Sequence, residues 1–474
     1  MAKRRHLVVV LPGIGGTRLV EPADPSRVVW DAGFPDVGNL LVRPGLRSVD
    51  RYPELRPMGL IKSKKLFGIW TKIPGYEALL QRLAALPDVI LDDGTTPTPR
   101  LDANVVAIGY DFRIGVAKGA EYLHAQLMPR LEALWPKPDD RRGRIIFVAH
   151  SMGGLVARHW LAQDGHTELC RELITLGTPH RGAPKALDIL ANGIPVLGAH
   201  LIKGPVRRLL RSWQGVYDLL PTEAEVHDRV SDRWLTVQAL PLAWNQGMAT
   251  AAGELHRSLT SAWSALPAEI RPSVQPRIGV GHGTQRACSW DGKRVRVTKD
   301  APARPGLGKW AIELGDGTVP MLSGLPPEMI QPPTGLSAAM RHGQIIDLPE
   351  VIDRLQDAEN YPVVHPIEGV GVKLSLGVDL EELSLTGQPT PLAATVRGAD
   401  MAGNPGRCVA TAITDDGTGR SAVELSWDSA DGRFVGELPA LFAGGYQVRV
   451  DWEAEDLLHS EASLEVLNPE LVIA

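Results

Sequence analysis

Cysteine is scarce: 474 residues hold three, Cys170, Cys288 and Cys408, far apart and without metal-ligand spacing. So sparse and odd a number excludes a disulfide scaffold and suggests a reducing compartment. Long runs of one charge are also missing. The net charge is −5, and no basic run exceeds Lys3-Arg4-Arg5, which argues against a nucleic-acid binder. No apolar stretch approaches the length of a membrane span. The N-terminal apolar run, Leu7 to Leu11, is stopped by Pro12-Gly13 and is too short for the core of a signal peptide. These absences predict a soluble, cytoplasmic protein. The chain is too long for one ordinary core, so two domains are expected.

What is present centres on one serine. Ile145-Ile146-Phe147-Val148-Ala149-His150 reads as a buried strand running into a tight turn at Ser151, followed by Met152-Gly153-Gly154. The pattern resembles the G-x-S-x-G nucleophile elbow, with Ala149 and Gly153 in the two small-residue positions. Small residues are needed there because neighbouring backbones crowd a serine held exposed on a sharp turn. The segment up to Leu161 has the composition of a helix whose N-terminus points at Ser151 and favours negative charge beside it. The competing reading is an ordinary strand-to-helix turn with an incidental serine.

The β-branched run Leu7 to Leu11 predicts a strand buried on both faces. The glycines of Pro12-Gly13-Ile14-Gly15-Gly16 let backbone approach a substrate, so the N–H of Ile14 could join that of Met152 in an oxyanion hole. A ligand-free turn is the alternative, and a phosphate loop is disfavoured because the Lys-Ser/Thr ending is absent. From Val20 to about Trp70, abundant Pro, Gly and Arg with little periodicity predict irregular structure. Gly75 to Leu86 and Ala120 to Leu134 read as helices. Between them, a strand from Asn104 closes on Tyr110-Asp111-Phe112-Arg113, where Asp111 and Arg113 read as a structural ion pair.

Beyond the elbow, a strand at Glu172–Leu176 precedes Thr178-Pro179-His180-Arg181-Gly182, in which His180 suits local turn chemistry. Residues 183–268 read as mostly helical. Val196-Leu197-Gly198 and Leu209-Leu210-Arg211-Ser212-Trp213 look more apolar than a covering helix needs, so this segment is either a lid over an apolar acyl site or a plain helical insertion. A strand at Pro276–Gly281 and a hairpin at Ala287–Val297 follow. Asp316 lies between two glycines, well placed to present a carboxylate from a loop, the alternative being a turn aspartate. His342 sits on a loop before a helix at Leu348–Leu355. It fits the order serine, acid, histidine better than His282 or His365, the alternative being a solvated loop histidine.

After Tyr361 the texture changes to short alternating strands at Val372–Val378, Leu392–Val396, Cys408–Ile413, Ala422–Trp427, Phe434–Leu438, Tyr446–Trp452 and Ala462–Val466. They predict an immunoglobulin-like β-sandwich. Such a module would bind a protein partner, pack on the catalytic domain, or orient it at a surface.

Taken together, Pro12-Gly13-Ile14-Gly15-Gly16, Tyr110-Asp111-Phe112-Arg113, Ala149-His150-Ser151-Met152-Gly153-Gly154, Tyr217-Asp218-Leu219-Leu220-Pro221 and Gly315-Asp316-Gly317-Thr318-Val319-Pro320 look like the lecithin:cholesterol acyltransferase family of α/β-hydrolases. The matches run in family order from residue 7 to about 355, with the family's Y-D-W-R present as Y-D-F-R. Residues 178–182 also look like the corresponding stretch of bacterial lipases. The resemblance implies a Ser-Asp-His triad, activity on lipid acyl esters, and water or an alcohol as acyl acceptor. The region between Val20 and Trp70 does not let the family's disulfide-closed membrane-docking region be placed, because no cysteine precedes Cys170.

The expectation is therefore an α/β fold: an α/β-hydrolase domain over 1–358 with a mostly parallel central sheet and a helical cap at about 183–268. A linker over 359–370 and an immunoglobulin-like sandwich over 371–474 complete it. Ser151 is the expected nucleophile, Asp316 the acid and His342 the base, with Ile14 and Met152 as oxyanion donors and no metal or organic cofactor. The expected activity is hydrolysis of lipid or other esters, with transient membrane contact. The alternatives are acyl transfer to an alcohol, and an idle hydrolase fold whose sandwich does the binding.

Overall fold

The computed structural model describes residues 5–31, 48–62, 75–163, 165–196, 199–202, 205–242, 244–267, 270–300, 315–329, 337–338, 340–360, 375–381, 383–397, 405–453 and 457–467. The chain begins with β1 (Leu7–Leu11), then β2 (Thr17–Glu21), β3 (Asp24–Trp30) and β4 (Arg56–Leu60). Next come α1 (Glu77–Ala84), β5 (Leu91–Asp92), β6 (Val105–Ala107) and α2 (Val116–Leu134). β7 (Ile145–His150), α3 (Met152–Leu161) and β8 (Cys170–Leu176) carry the predicted elbow.

Alternate residues of the apolar strands enter different cores. Leu7, Val9 and Leu11 join Ile145, Phe147 and Ala149 in one cluster, while Val8 and Val10 join Ile146 and Val148 in the other. A strand buried on both faces requires helices on both sides, which is the parallel-sheet arrangement. Here α2 and α3 pack on the first face and α1 on the second.

The segment after β8 holds α4 (Pro184–Asn192), β9 (Ile194–Val196), β10 (Ala199–Ile202), α5 (Pro205–Leu210), α6 (Gln214–Tyr217), β11 (Val226–Asp228), β12 (Arg233–Leu235) and α7 (Gln246–Ala265). β13 (Ser273–Gly279), β14 (Ala287–Trp290), β15 (Val295–Thr298), β16 (Ser337–Ala338) and α8 (Pro349–Asn360) follow. The central sheet runs β16-β13-β8-β7-β1-β6-β5, every pair parallel among the described residues. β7 lies between β1 and β8, so Ser151 emerges at a carboxyl edge flanked by the loops of both neighbours, where open α/β sheets place their ligands.

One expectation needs correction and one refinement. The stretch from Val20 to Trp70 is not wholly irregular, because β2, β3 and β4 form a small antiparallel sheet. Its strands carry register shifts, and these bulges break the period-two pattern that would have marked them in the sequence. Residues 32–47 and 63–74 lie outside the described residues. The insertion over 183–268 carries short strands among its helices: β11 and β12 join the β14–β15 hairpin in a four-stranded sheet, and β9 pairs with β10.

Leu209, Leu210 and Trp213 do not form an exposed apolar face; they are buried in the same cluster as the central sheet. Of Val196-Leu197-Gly198, the last two lie outside the described residues. The insertion is tied to α3 by Arg158, whose guanidinium lies 4.0 Å from the Trp263 ring of α7 and bonds Glu328 twice, at 2.8 and 3.0 Å. Trp263 returns an indole N–H to the carbonyl of Arg158 at 3.2 Å.

α8 extends through Asn360, into the expected linker; residues 361–374, with His365, lie outside the described residues. The C-terminal strands are β17 (Ser375–Leu380), β18 (Leu383–Leu385), β19 (Thr390–Arg397), β20 (Arg407–Thr414), β21 (Arg420–Asp428), β22 (Arg433–Leu438), β23 (Gly444–Glu453) and β24 (Leu457–Leu467). All the predicted strands are here, with the three-residue β18 in addition. Their order is β17-β19-β22-β21-β20-β23-β24-β18, antiparallel except for the β18–β24 pair. Alternating inward residues such as Val448, Val450 and Trp452 of β23 form a separate core. The three thiols are distributed, buried and free, with Cys170 on β8, Cys288 on β14 and Cys408 on β20.

Candidate active site

Ser151 sits between β7 and α3 at φ 52°, ψ −126°, in the left-handed half of the map that a side chain rarely occupies. Such a conformation costs about 1–3 kcal/mol and persists only where neighbours enforce it. They do so by proximity. A Cβ at Gly153 would fall 2.6 Å from the carbonyl oxygen of Pro12, and one at Gly13 would fall 2.8 Å from the Ser151 Cβ. Gly13 and Gly153 are therefore small for a reason of contact: the loop after β1 lies directly against the serine turn. Met152 opens α3, so its N–H has no acceptor within the helix and faces the turn with the positive helix end. The Gly13 N–H is occupied by Tyr76 Oη at 2.8 Å, which leaves Ile14 as the next donor along the loop.

His342 Nε2 lies 2.9 Å from Ser151 Oγ, and His342 Nδ1 lies 2.7 Å from Asp316 Oδ2. The other carboxylate oxygen of Asp316 accepts from the backbone N–H groups of Thr318 at 2.9 Å and Val319 at 2.7 Å, which fixes the carboxylate plane toward the imidazole. The loops are also joined through main chain, His342 N–H donating to Asp316 O at 2.9 Å. Gly177, at φ 57°, brings its backbone beside the pair, where a Cβ would fall 3.0 Å from both Asp316 Oδ2 and His342 Nδ1. Ser151, Asp316 and His342 are 2, 1 and 3% exposed, so the hydrogen bonds act where solvent screening is weak.

A second buried chain of bonds connects the serine turn to the histidine loop. Gly13 N–H donates to Tyr76 Oη, Tyr76 Oη lies 2.8 Å from His150 Nδ1, and His150 Nε2 lies 3.0 Å from the carbonyl of His342. One assignment satisfies every group: His150 neutral with its proton on Nε2, donating to His342 O, and Tyr76 donating to Nδ1. Burial first, and the neighbouring His342 second, hold the His150 imidazole well below its usual range, in keeping with the neutral form. Burial likewise pushes the Tyr76 phenol up, so it stays a donor. Sequence reasoning gave neither residue a role. His150 carried a signal, a polar side chain ending an otherwise apolar buried strand, which demands a partner. Tyr76, near the start of the segment read as a helix, carried none.

The remaining sequence candidates are placed elsewhere. Asp111 and Arg113 form a buried two-pronged pair at 2.9 and 2.6 Å, and Arg113 also donates to Tyr52 O at 3.0 Å. His180 is buried with Nε2 3.2 Å from Thr175 Oγ1, outside the relay. His282 is behind the acid loop, its N–H donating to Gly315 O at 3.0 Å. Thr284 Oγ1 accepts from the N–H groups of Gly315 at 3.1 Å and Gly317 at 2.9 Å, so it shapes the Asp316 turn. Asp218 accepts from Val116 N–H, the first of α2, at 2.7 Å, and burial raises its carboxyl to about 6. Among the described residues no group of three or more His, Cys, Asp or Glu is arranged to hold a metal, and no helix is long and apolar enough to cross a membrane.

The description of the lecithin:cholesterol acyltransferase family matches residues 99–258. That stretch is lecithin:cholesterol acyltransferase-like. The acyltransferase-like stretch contains Asp111, Arg113, Ser151, Met152 and Asp218, whereas Ile14, Asp316 and His342 lie outside it. An uncharacterized protein of Saccharomyces cerevisiae, YJR098C, is 42% identical over 102 residues, 21% of this chain. The match spans 14% of the length of that relative. Among solved structures, Bacillus licheniformis lipase BlEst2 in its propeptide form is similar at TM-score 0.31 and 11% identity, over 77% of this chain and 86% of that one.

Proposed function

We propose that the protein is a serine hydrolase of carboxylic esters that works through an acyl-enzyme. The observation carrying this reading is the continuous relay Asp316–His342–Ser151, at 2.7 and 2.9 Å, with the serine on a strained turn at a helix N-terminus. Ser151 Oγ attacks the ester carbonyl while His342 Nε2 takes its proton, and Asp316 stabilises the imidazolium that forms. The N–H groups of Met152 and Ile14 hold the oxyanion. Collapse expels the alkoxide, which leaves as an alcohol with the proton from His342. A water then gives its proton to His342, attacks the acyl carbon and frees Ser151.

The acyltransferase-like stretch supports a lipid acyl ester as substrate. It also favours a second reading, in which an alcohol rather than water takes the acyl group from Ser151; the residues keep the same roles. We assign this chemistry to a domain spanning 1–358. The C-terminal domain, from 371, is taken as immunoglobulin-like. Its order β17-β19-β22-β21 and β20-β23-β24 supports this, because it follows the A-B-E-D and C-F-G order of that sandwich.

The test is turnover of a panel of p-nitrophenyl esters and phospholipids, with and without an added alcohol. Wild type is expected to hydrolyse short esters, and Ser151→Ala and His342→Ala to lose on the order of a thousandfold or more in kcat. Near wild-type hydrolysis by Ser151→Ala overturns the proposal. A new ester in place of free acid when alcohol is present identifies the transfer reaction.

A further inference from the structure

The C-terminal domain touches the first domain at the loops that carry Asp316 and His342. Arg341, the residue before His342, is buried and donates from Nη2 to the carbonyl of Val378 on β17 at 2.7 Å. His282, whose N–H holds Gly315 O next to Asp316, sets its ring Nδ1 3.1 Å from both the O and the N of Val378. His282 Nδ1 therefore finds a partner on the main chain of Val378 whether or not it carries the proton. Beside it, Gly377 packs so closely on Gly281 that a Cβ would fall 1.9 Å from the Gly281 carbonyl oxygen. Lys299 closes the contact with ion pairs to Asp379 at 2.6 Å and Glu381 at 3.1 Å. On the far side of His342, Gln344 Nε2 donates to Glu461 O of β24 at 3.2 Å.

We infer that β17 is a positioning element for the acid and base loops, so that activity of the first domain depends on the docked C-terminal domain; this rests on the catalytic reading proposed above. Val378 bonds the Arg341 guanidinium and the His282 ring at once, and through them it sets the spacing of the His342 and Asp316 loops. The Arg341 guanidinium is a buried cation, tolerable only with acceptors in place, so undocking β17 forces that side chain and its loop to rearrange. A catalytic pair displaced by about 1 Å loses on the order of a hundredfold in rate. The sandwich thus serves the chemistry without supplying a reacting group.

The test uses the full chain carrying Gly377→Val, which wedges the main chains of β17 and Gly281 apart. Amide exchange in residues 315–320 and 341–347 is expected to quicken by about tenfold or more, reporting loss of the loops' support. On p-nitrophenyl acetate, kcat is expected to fall about tenfold or more with KM changed by less than about threefold, because positioning and not ground-state binding is lost. Arg341→Lys, which keeps a donor for Val378 O, should retain more kcat than Arg341→Ala. If Gly377→Val does not fold, Asp379→Ala weakens the same contact without a clash and should move exchange and kcat in the same direction, by less.

Folded Gly377→Val with wild-type exchange in both loops overturns the inference, whatever the esterase result. A wild type that neither cleaves the ester nor takes a fluorophosphonate on Ser151 overturns the catalytic reading instead, and the exchange measurement still decides the docking.

Discussion

Ser151, Met152 and Ile14 come from the ends of two paired strands of one sheet, whereas Asp316 and His342 hang on loops held by contacts far away in sequence. On the nucleophile side, the register that sets Leu11 beside Ala149 already fixes where the Pro12–Gly16 loop meets the serine turn. On the acid–base side the register is slight: β16 meets β13 only at Ile278 and Gly279 shortly before His342, and the Asp316 turn meets His282 through isolated bridges. Position is set by Thr284 under the Asp316 turn, by the main-chain bond between His342 and Asp316, and by β17. A nucleophile can be built locally and rigidly. The proposed base and acid are instead held by contacts from segments far apart in the chain.

This difference can be broken from the acid–base side with Asp316→Asn. The amide cannot support the imidazolium and favours the wrong imidazole tautomer, so kcat should fall by about a thousandfold or more. The residual rate belongs to the nucleophile side alone. Steady-state kinetics on a short ester checks it; a loss below about tenfold would mean that the relay at 2.7 Å does not carry the reaction.

Tyr76→Phe strikes the joint between the two sides, removing an acceptor from Gly13 N–H and a donor to His150 Nδ1. Two buried polar groups left unpaired should cost about 1–3 kcal/mol each in stability. The expected kinetic loss is about tenfold in kcat, since the oxyanion loop loosens while the relay remains. Urea unfolding beside kinetics separates the two effects. Unchanged stability would show that the chain through His150 couples nothing.

The smallest effect is on stability and lies on the nucleophile side, at Asp218 below α2. Its carboxyl is raised from 3.8 to about 6 by burial, so the folded state binds the proton more tightly than the unfolded one. Its contribution to stability should then be fully present below about pH 4 and be lost as pH rises through 6, by about 3 kcal/mol at most. Asp218→Asn, always uncharged, should remove that decline. Melting temperatures of both proteins between pH 4 and 7 test this, and parallel curves would rule it out.

Most of the nucleophile side was legible in the sequence, because strand, turn and helix there are adjacent and each leaves a local mark. Gly153 is small where it meets the Leu11 and Pro12 carbonyls and Gly13 where it meets the Ser151 side chain, and apolar runs such as Ile145–Val148 announce a strand covered on both faces. Asp316 and His342 were legible as candidates through their loops and order, but nothing local indicates Thr284, His282 or Arg341 as their supports. Those roles exist only in the tertiary contacts. The same reasoning accounts for the misread segments. β2 to β4 are bulged and short, and the insertion mixes helices with strands of three or four residues, too brief for a period to register. The C-terminal antiparallel strands, by contrast, announced themselves through long alternating stretches such as β23.

The distribution of the thiols gives the protein a set of internal clocks. Cys170 lies in the central sheet, Cys288 in the four-stranded sheet and Cys408 in the C-terminal antiparallel sheet. Each is buried, and burial pushes all three thiols up, Cys408 to about 12, so none reacts while its surroundings stay closed. An alkylating reagent would therefore record, cysteine by cysteine, how often each of the three regions opens and whether they open together.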